Sequence, residues 1–451
     1  MALAKTLTPT PRPARRKRGF LSSRKRPAPQ NSRCQHAWEQ GSTRAAESSR
    51  LPHLRPLLGG ILALAAAMGI GRFAYTPILP AMLKAGGLDA TQAGLLAAAN
   101  YAGYLAGALL VAVAVSAPAR VHVLRASAIA VAATTALMAV TTGLAAWGVV
   151  RFVAGLASAG VLVLASGVVL DHLRRAGRAS LSGWLFSGVG LGIVISGLVV
   201  RLTGDRLGWR GDWLVLALLA TAALYPCLRW LPRADRENAP AGVATPARGN
   251  AVPVALGLLF TAYFLEGIGY IVTGTFLVVI VEGTPELQGL GADVWIVAGL
   301  AVIPSAVLWG ALAGRVGYAR ALTGAYLLQA AGIALPIAGG AGAAFASAML
   351  FGGTFAGITA LTLTLGGYLA PGRSARLIGM LTAVFGLGQM IGPVLGGLIA
   401  SRAQDFTPAL IAAAVCVLTG GVLMAALQPF DPLRRDALLG SGTPAPARPV
   451  E

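Results

Sequence analysis

Charge is what this chain has least of. Of its 451 residues only 12% are Asp, Glu, Lys or Arg, while 56% are apolar. A soluble domain carries about 25% charged residues. So few charges cannot coat a water-facing shell around one soluble core, and the shortage places the chain among membrane proteins. Acids are scarcer than bases: 16 Asp and Glu stand against 36 Lys and Arg, a formal net charge of +20. Such a balance suits nucleic acid only if the basic residues form a patch. Cysteine is nearly absent. Cys34, Cys227 and Cys416 lie far apart without CxxC spacing, so neither a disulfide framework nor a thiolate metal site is expected. His36, His53, His122 and His172 fall in polar stretches or near helix ends, which argues against a histidine metal cluster. There is no Walker A sequence, which disfavours an ATP-driven pump. No cofactor and no metal are expected.

The positive charge is unevenly spread. Residues 1–56 hold thirteen Lys and Arg and two acids, Glu39 and Glu47. This stretch is polar and proline-containing, cannot bury a core, and reads as a disordered basic tail. Arg15-Arg16-Lys17-Arg18-Gly19-Phe20-Leu21 loosely resembles a twin-arginine signal, but no apolar stretch follows before Leu57. The plainer expectation is a solvated tail, or an extension from a misassigned start.

Beyond the tail, long apolar runs dominate. A spanning helix needs about 20 mostly apolar residues. Twelve stretches qualify: 57–83, 90–115, 121–142, 146–170, 179–203, 212–231, 252–281, 293–314, 320–339, 342–370, 376–401 and 407–428. The predicted fold is therefore all-α, a polytopic membrane protein of twelve transmembrane helices. The longest polar break, 232–251, divides them into an N-terminal six-helix half, 57–231, and a C-terminal one, 252–430. Residues 431–451 read as a second disordered tail.

Lys and Arg concentrate on the cytoplasmic side of membrane proteins. With an even number of spans, one side collects Arg120, Arg125, Arg174, Arg175, Arg178, Arg229, Arg233, Arg236, Arg248, Arg315, Arg320, Arg373, Arg376, Arg434, Arg435 and Arg448. The other has Lys84, Arg201, Arg206, Arg210 and Arg402. Both termini, and the linker at 232–251, are expected in the cytoplasm. The halves also echo each other at an offset of about 198 residues. Gly69-Ile70-Gly71 matches Gly267-Ile268-Gly269, Gly155 matches Gly353, and Gly188 and Gly190 match Gly386 and Gly388. Two similar halves fit a parallel-repeat transporter with its site near the midplane.

Several motifs carry a family resemblance. Arg151-Phe152-Val153-Ala154-Gly155 resembles the RxxxG motif of the major facilitator superfamily. Gly310-Ala311-Leu312-Ala313-Gly314-Arg315-Val316-Gly317 resembles its GxLaDrxGr loop, with Gly314 at the acidic position. Ser116-Ala117-Pro118-Ala119-Arg120 barely matches that loop. Gly386-Leu387-Gly388-Gln389-Met390-Ile391-Gly392-Pro393 resembles the Gly/Pro antiporter motif, placed in span 11. Met68-Gly69-Ile70-Gly71-Arg72-Phe73-Ala74-Tyr75-Thr76-Pro77, with Asn100-Tyr101-Ala102-Gly103-Tyr104, resembles the YbfB/YjiJ-like branch. The resemblance covers residues 57–430. It implies the two-half transporter fold, and it associates Arg151 with proton coupling.

Ionisable groups in mid-membrane cost at least about 2.5–3.5 kcal/mol each, so they face a cavity and act there. Arg72, Arg151 and Glu266 are the ones well inside spans. Arg72 sits beside Tyr75 and Thr76, and Pro77 removes a helical hydrogen bond and frees the Phe73 carbonyl. Such an arginine suits an anionic substrate group, or it clamps carbonyls. Arg151 either couples protons or snorkels to the interface. Tyr263, Glu266, Tyr270 and Thr273 form a polar stripe on span 7. Glu266 is the candidate proton carrier, or a carboxylate neutralised by a structural arginine. Asn100, Tyr104, Gln389 and Gln329 are cavity hydrogen-bonders or interhelical ties. Gly69, Gly71, Pro77, Gly155, Gly188, Gly192, Gly310, Arg315, Gly392 and Pro393 are expected to serve gating and hinge motion.

The expected function is secondary active transport of a small organic solute across the inner membrane by alternating access. It is expected to be proton-coupled and directed outward, with uptake of an organic anion by symport as the alternative. The expected partners are a small-molecule substrate, protons and the lipid bilayer, with no nucleic acid, and the expected state is a monomer. A membrane-embedded enzyme would need clustered carboxylates or His/Asp sets, which the sequence lacks. A channel would need a charged ring.

Overall fold

The computed structural model describes residues 54–231, 253–370 and 374–433, all within one compact unit. Most of the expected N-terminal tail, the whole of the expected linker and the C-terminal segment from 434 on lie outside them. Two edges differ from expectation. Helix has already begun at Leu54, and Asp431 is buried against the helices.

Every regular element among the described residues is helical. In hydrocarbon each backbone N–H and C=O must be bonded within its own segment, and long Ala- and Leu-rich runs do this as helices. Eleven of these helices are long and apolar enough to cross a membrane. They are α1 Leu54–Ala85, α2 Ala90–Ala114, α3 Arg120–Val140, α4 Leu144–Arg175, α5 Ser187–Trp230, α6 Pro253–Gly283, α7 Gly291–Val316, α8 Tyr318–Ala334, α9 Gly340–Leu369, α10 Ser374–Ala403 and α11 Thr407–Ala426. A capping box starts α2, where Asp89 accepts from Gln92 N–H and Gln92 reaches back to Asp89 N–H.

The expected number was twelve, and the difference falls on α5. Its 44 residues would extend about 66 Å if straight, twice the roughly 30 Å of a hydrocarbon core. They are not straight. Gly208 has φ 62° and ψ 178°, outside any helical region. Residues nine apart in a helix are separated by about 13.5 Å, yet Thr203 Oγ1 donates to Asp212 Oδ1 at 2.6 Å. The chain therefore turns sharply at Gly208, in the gap between the fifth and sixth predicted spans.

Small residues set the helix crossings, as close packing in lipid requires. A Cβ on Gly69 would meet the backbone of Gly192, so α1 and α5 touch backbone to backbone there. The same kind of crossing joins α6 and α10, where Gly388 lies against Gly267. Gly155 of α4 lies on the Asn100 carbonyl of α2, and Gly94 of α2 lies on the Pro393 carbonyl of α10. The expected match of Gly155 with Gly353 is corrected by one residue. Nothing would touch a Cβ on Gly353, whereas Gly352 abuts the Ala298 carbonyl of α7. The offset itself has a direct counterpart: Thr76 Oγ1 of α1 donates to the Gly274 carbonyl of α6 at 2.6 Å, 198 residues away. Residues related by a two-fold axis can touch each other only beside that axis.

Candidate functional site

Arg72 stands where α1 stops being an α-helix. Residues Ala65–Ile70 are wound as π-helix, and Tyr75 begins a new α-helical stretch. Between them Gly71 N–H bonds back to Ala66 and Phe73 N–H to Met68, five residues each. Such π segments are frequent at functional sites. The expectation that Pro77 frees the Phe73 carbonyl is corrected, because Thr76 N–H takes that carbonyl at 3.2 Å. Across 71–74 the backbone stays right-handed, but its hydrogen bonds mix five-, four- and three-residue spacings, which shifts the register between Met68 and Tyr75.

Arg151 of α4 holds this break together. Its guanidinium donates to the carbonyls of Gly71 at 3.4 Å and Arg72 at 3.3 Å, and it covers the Tyr75 ring at 4.6 Å. It is 1% exposed, so it does not snorkel to an interface. Carbonyl clamping, weighed for Arg72, is what Arg151 does. Asn100 Nδ2 donates to the Arg151 carbonyl at 2.9 Å, so Asn100 ties α2 to α4, and its Oδ1 has no partner.

Arg72 has a different setting. Its Nη2 donates to Gln389 Oε1 of α10 at 2.7 Å, and its Nε has no partner. The rings of Tyr101 and Tyr104 each lie 4.5 Å from the guanidinium, and Phe73 lies at 5.4 Å. Gln389 in turn hydrogen-bonds the Tyr270 hydroxyl of α6. Tyr75 hydroxyl and Thr76 bond to backbone carbonyls, of Ala93 and Gly274, and so fix α1 to its neighbours.

The polar stripe on α6 is present, and its members meet different partners. Glu266, 1% exposed, accepts from Gln329 Nε2 of α8 at 2.6 Å, and its second carboxylate oxygen has no partner. Thr354 of α9 donates to Gln329 Oε1 at 2.6 Å. The alternative of a structural arginine partner is corrected: Glu266 forms no ion pair among the described residues. Tyr263 stacks on Phe385 at 4.3 Å, Tyr270 stacks on Phe385 and Phe355, and the Thr273 hydroxyl is buried without a partner.

The expected gating residues divide. Gly69, Gly155, Gly188, Gly192 and Gly392 make backbone crossings, the last two on the carbonyls of Ala65 and Ile268. A Cβ on Gly71 would meet the Ala67 carbonyl of its own helix, and Pro77 lies in the first turn of the helix after the break. Pro393 presents its carbonyl to Gly94. Gly310 touches nothing within 4 Å, and Arg315 is exposed without an ion pair among the described residues. With Gly314 at the acidic position, the loop itself supplies no carboxylate to Arg315. A carboxylate from elsewhere stands at that loop instead: Asp431 Oδ2 accepts from Ala319 N–H at 2.7 Å, next to Gly317.

Tyr101, Phe351, Phe355, Phe385 and Thr354 were not singled out from sequence. Thr354 and Gln329 are isolated polar residues in apolar helices, which is a usable signal. The phenylalanines give none, because aromatic residues in an apolar helix are ordinary core.

Comparison with known proteins gives the family and the fold. The family profile described as "Uncharacterised MFS-type transporter YbfB" matches residues 64–425. A "Chloramphenicol resistance protein" of Streptomyces lividans is 30% identical over 269 residues, which is 59% of this chain and 68% of that protein. Among solved structures, a point mutant of the nucleoside transporter NupG superposes with TM-score 0.67 at 16% identity, covering 83% of this chain and 100% of that one. The human organic anion transporter MFSD10 (TETRAN) superposes with TM-score 0.57 at 19% identity, covering 83% of this chain and 99% of that one. The multi-span helical architecture and the match over residues 64–425 together establish that the chain belongs to the YbfB family of major facilitator superfamily transporters.

Proposed function

We propose that this protein is a proton-coupled secondary transporter that moves a small organic solute out across the inner membrane by alternating access. One observation carries the reading. Glu266 is a fully enclosed acid with one free oxygen and no cation against it. Burying an ionised carboxylate without a counter-charge is costly, so such a group favours a bound proton until the bundle opens and water reaches it. The free oxygen is the atom that takes and gives the proton, and Gln329 and Thr354 hold the other in place. Arg72, at the broken middle of α1, is the solute contact, with Tyr104, Tyr270 and Gln389 beside it. Arg151 with Asn100 keeps the break in shape. The glycine crossings that join the two halves, α2 with α10 at Gly94 and Gly397 and α5 with α7 at Gly190 and Gly299, are the surfaces that rock.

Outward direction is supported by the Gly/Pro run in α10 and by the name of the Streptomyces relative. The two limbs of α5 on either side of Gly208 act as separate crossings, which makes twelve and leaves both termini in the cytoplasm. The chain works as a monomer, and its basic tail binds no nucleic acid. A second reading, uptake of an organic anion by symport, is favoured by one observation, the absence of an acid paired with Arg72 among the described residues.

Purified protein in liposomes, under an imposed pH gradient, separates the possibilities. The expected result is saturable solute flux driven by the gradient. Glu266→Gln is expected to keep the fold, checked by thermal unfolding, while losing gradient dependence. Full proton coupling in that variant overturns the assignment. Solute that moves with the protons, rather than against them, reverses the direction.

A further inference from the structure

Arg72 is a buried cation without an anion. It is 4% exposed, and no Asp or Glu among the described residues forms an ion pair with it. A guanidinium carries five N–H donors. Here Nη2 is spent on the neutral Gln389 amide, and Nε is idle. Ring faces at 4.5 Å offset part of the cost of the charge. They do so less fully than a matched anion, which would meet the fork with two charge-assisted bonds. The Gln389 oxygen therefore occupies a position on the fork that a carboxylate oxygen would fill more favourably.

Beside this cation lies a set of nearly parallel rings from three helices. Tyr263 and Phe385 are inclined by 7°, Tyr270 and Phe385 by 10°, Tyr270 and Phe355 by 19°, and Phe351 and Phe355 by 24°. Phe355 also meets Phe73 of α1 at 6.0 Å, which brings the rings to the broken segment. Phe351, Tyr263 and Tyr270 are fully enclosed, but Phe355, Phe385 and Tyr104 retain free surface. Partly exposed aromatic rings, already stacked in one direction, next to a fork with an unused donor match a ligand with two parts, one flat and able to join the stack and one anionic.

We propose that this site binds a flat aromatic or conjugated monoanion. Its carboxylate or equivalent group takes Arg72 and displaces the Gln389 oxygen, and Gln389 stays tied to Tyr270. Its ring lies against Phe355, Phe385 and Tyr104. The proposal rests on the transport reading of the same site and names its substrate class. Glu266 takes no part in holding the anion, since its own oxygens face Gln329 and an unpartnered position.

Binding to purified protein in detergent, measured by calorimetry without any proton gradient, tests this apart from transport. Three probes of similar size are compared: benzoate, cyclohexanecarboxylate and benzamide. Benzoate is expected to bind at least tenfold more tightly than either of the others. Equal binding of benzamide overturns the anionic part, equal binding of cyclohexanecarboxylate overturns the flat part, and no binding of benzoate overturns both. Arg72→Gln is expected to erase the preference for benzoate over benzamide. Phe385→Leu, which keeps the charge and most of the volume, is expected to erase only the preference over cyclohexanecarboxylate. Benzoate selectivity without gradient-driven flux leaves this inference standing and removes the proton-coupled reading. Gradient-driven flux without benzoate selectivity does the reverse.

Discussion

At the scale of single residues, the two deep arginines do different work. Arg151 serves the protein's own backbone, and its planar fork reaches two adjacent carbonyls. Lysine has the charge but a single compact head. Arg151→Lys is expected to leave one of the two carbonyls without its donor, at about 1–3 kcal/mol, seen as a lower unfolding temperature in detergent. An unchanged temperature overturns the clamp. For Arg151 the sequence left coupling and snorkelling open, because the long stem reaches an interface or a neighbouring helix equally well. Burial settles the direction in which the side chain runs. Glu266 stood out in the sequence, since an acid in the middle of an apolar helix is rare. Its actual partner, Gln329, sits 63 residues away, and only the packing of α6 on α8 brings them together.

At the scale of elements, glycine and acid positions decide where helices turn and stop. Gly208 holds a conformation that side chains with a Cβ avoid, and nothing would touch an added methyl there. Gly208→Ala is therefore expected to cost about 1–3 kcal/mol from backbone strain alone. Gly310→Ala, also without neighbours but in helical backbone, is expected to be neutral or stabilising by up to about 1 kcal/mol. Paired thermal melts check the contrast, and similar losses in both variants refute it. Asp431 caps α8 from the far end of the chain, and Asp431→Ala is expected to cost about 0.5–2 kcal/mol. Asp405, in the turn before α11, is held below the usual carboxylate range by the Thr407 backbone and side-chain donors. Its contribution is present above the ordinary aspartate value and fades as pH falls through the lowered one. Asp405→Asn is expected to reduce the stability difference between neutral and acid pH, measured by the same melts. Helix positions were legible to within a few residues because apolar length is a strong signal. The break at 71–74 was legible only as a kink at Pro77, since shifted π and three-residue bonds depend on what α4 offers the loose carbonyls.

At the scale of the molecule, the repeat was legible in part. Glycines mark helix crossings in any membrane bundle, so Gly69 and Gly267 were legible as contact positions, while their partners, α5 for α1 and α10 for α6, come only from the packing. The one-residue slip from Gly353 to Gly352 was invisible without the contact itself. Gly69→Ala is expected to force α1 from α5 and to slow solute flux, while Gly353→Ala is expected to leave flux unchanged. Equal effects of the two remove the Gly69 crossing from any part in transport.

The lone cation at the centre of α1 also makes the carrier sensitive to membrane voltage. An empty site carries the Arg72 charge uncompensated, whereas a site holding a monoanion is neutral at that point. A full elementary charge crossing the membrane is worth about 2.3 kcal/mol per 100 mV. On the proposed reading, a bound monoanion removes one positive charge from the site while Arg151 keeps its own and Glu266 gains or loses one with its proton, so the membrane potential acts on the filled and unfilled steps with different force, and flux at a fixed pH gradient is expected to change with imposed voltage.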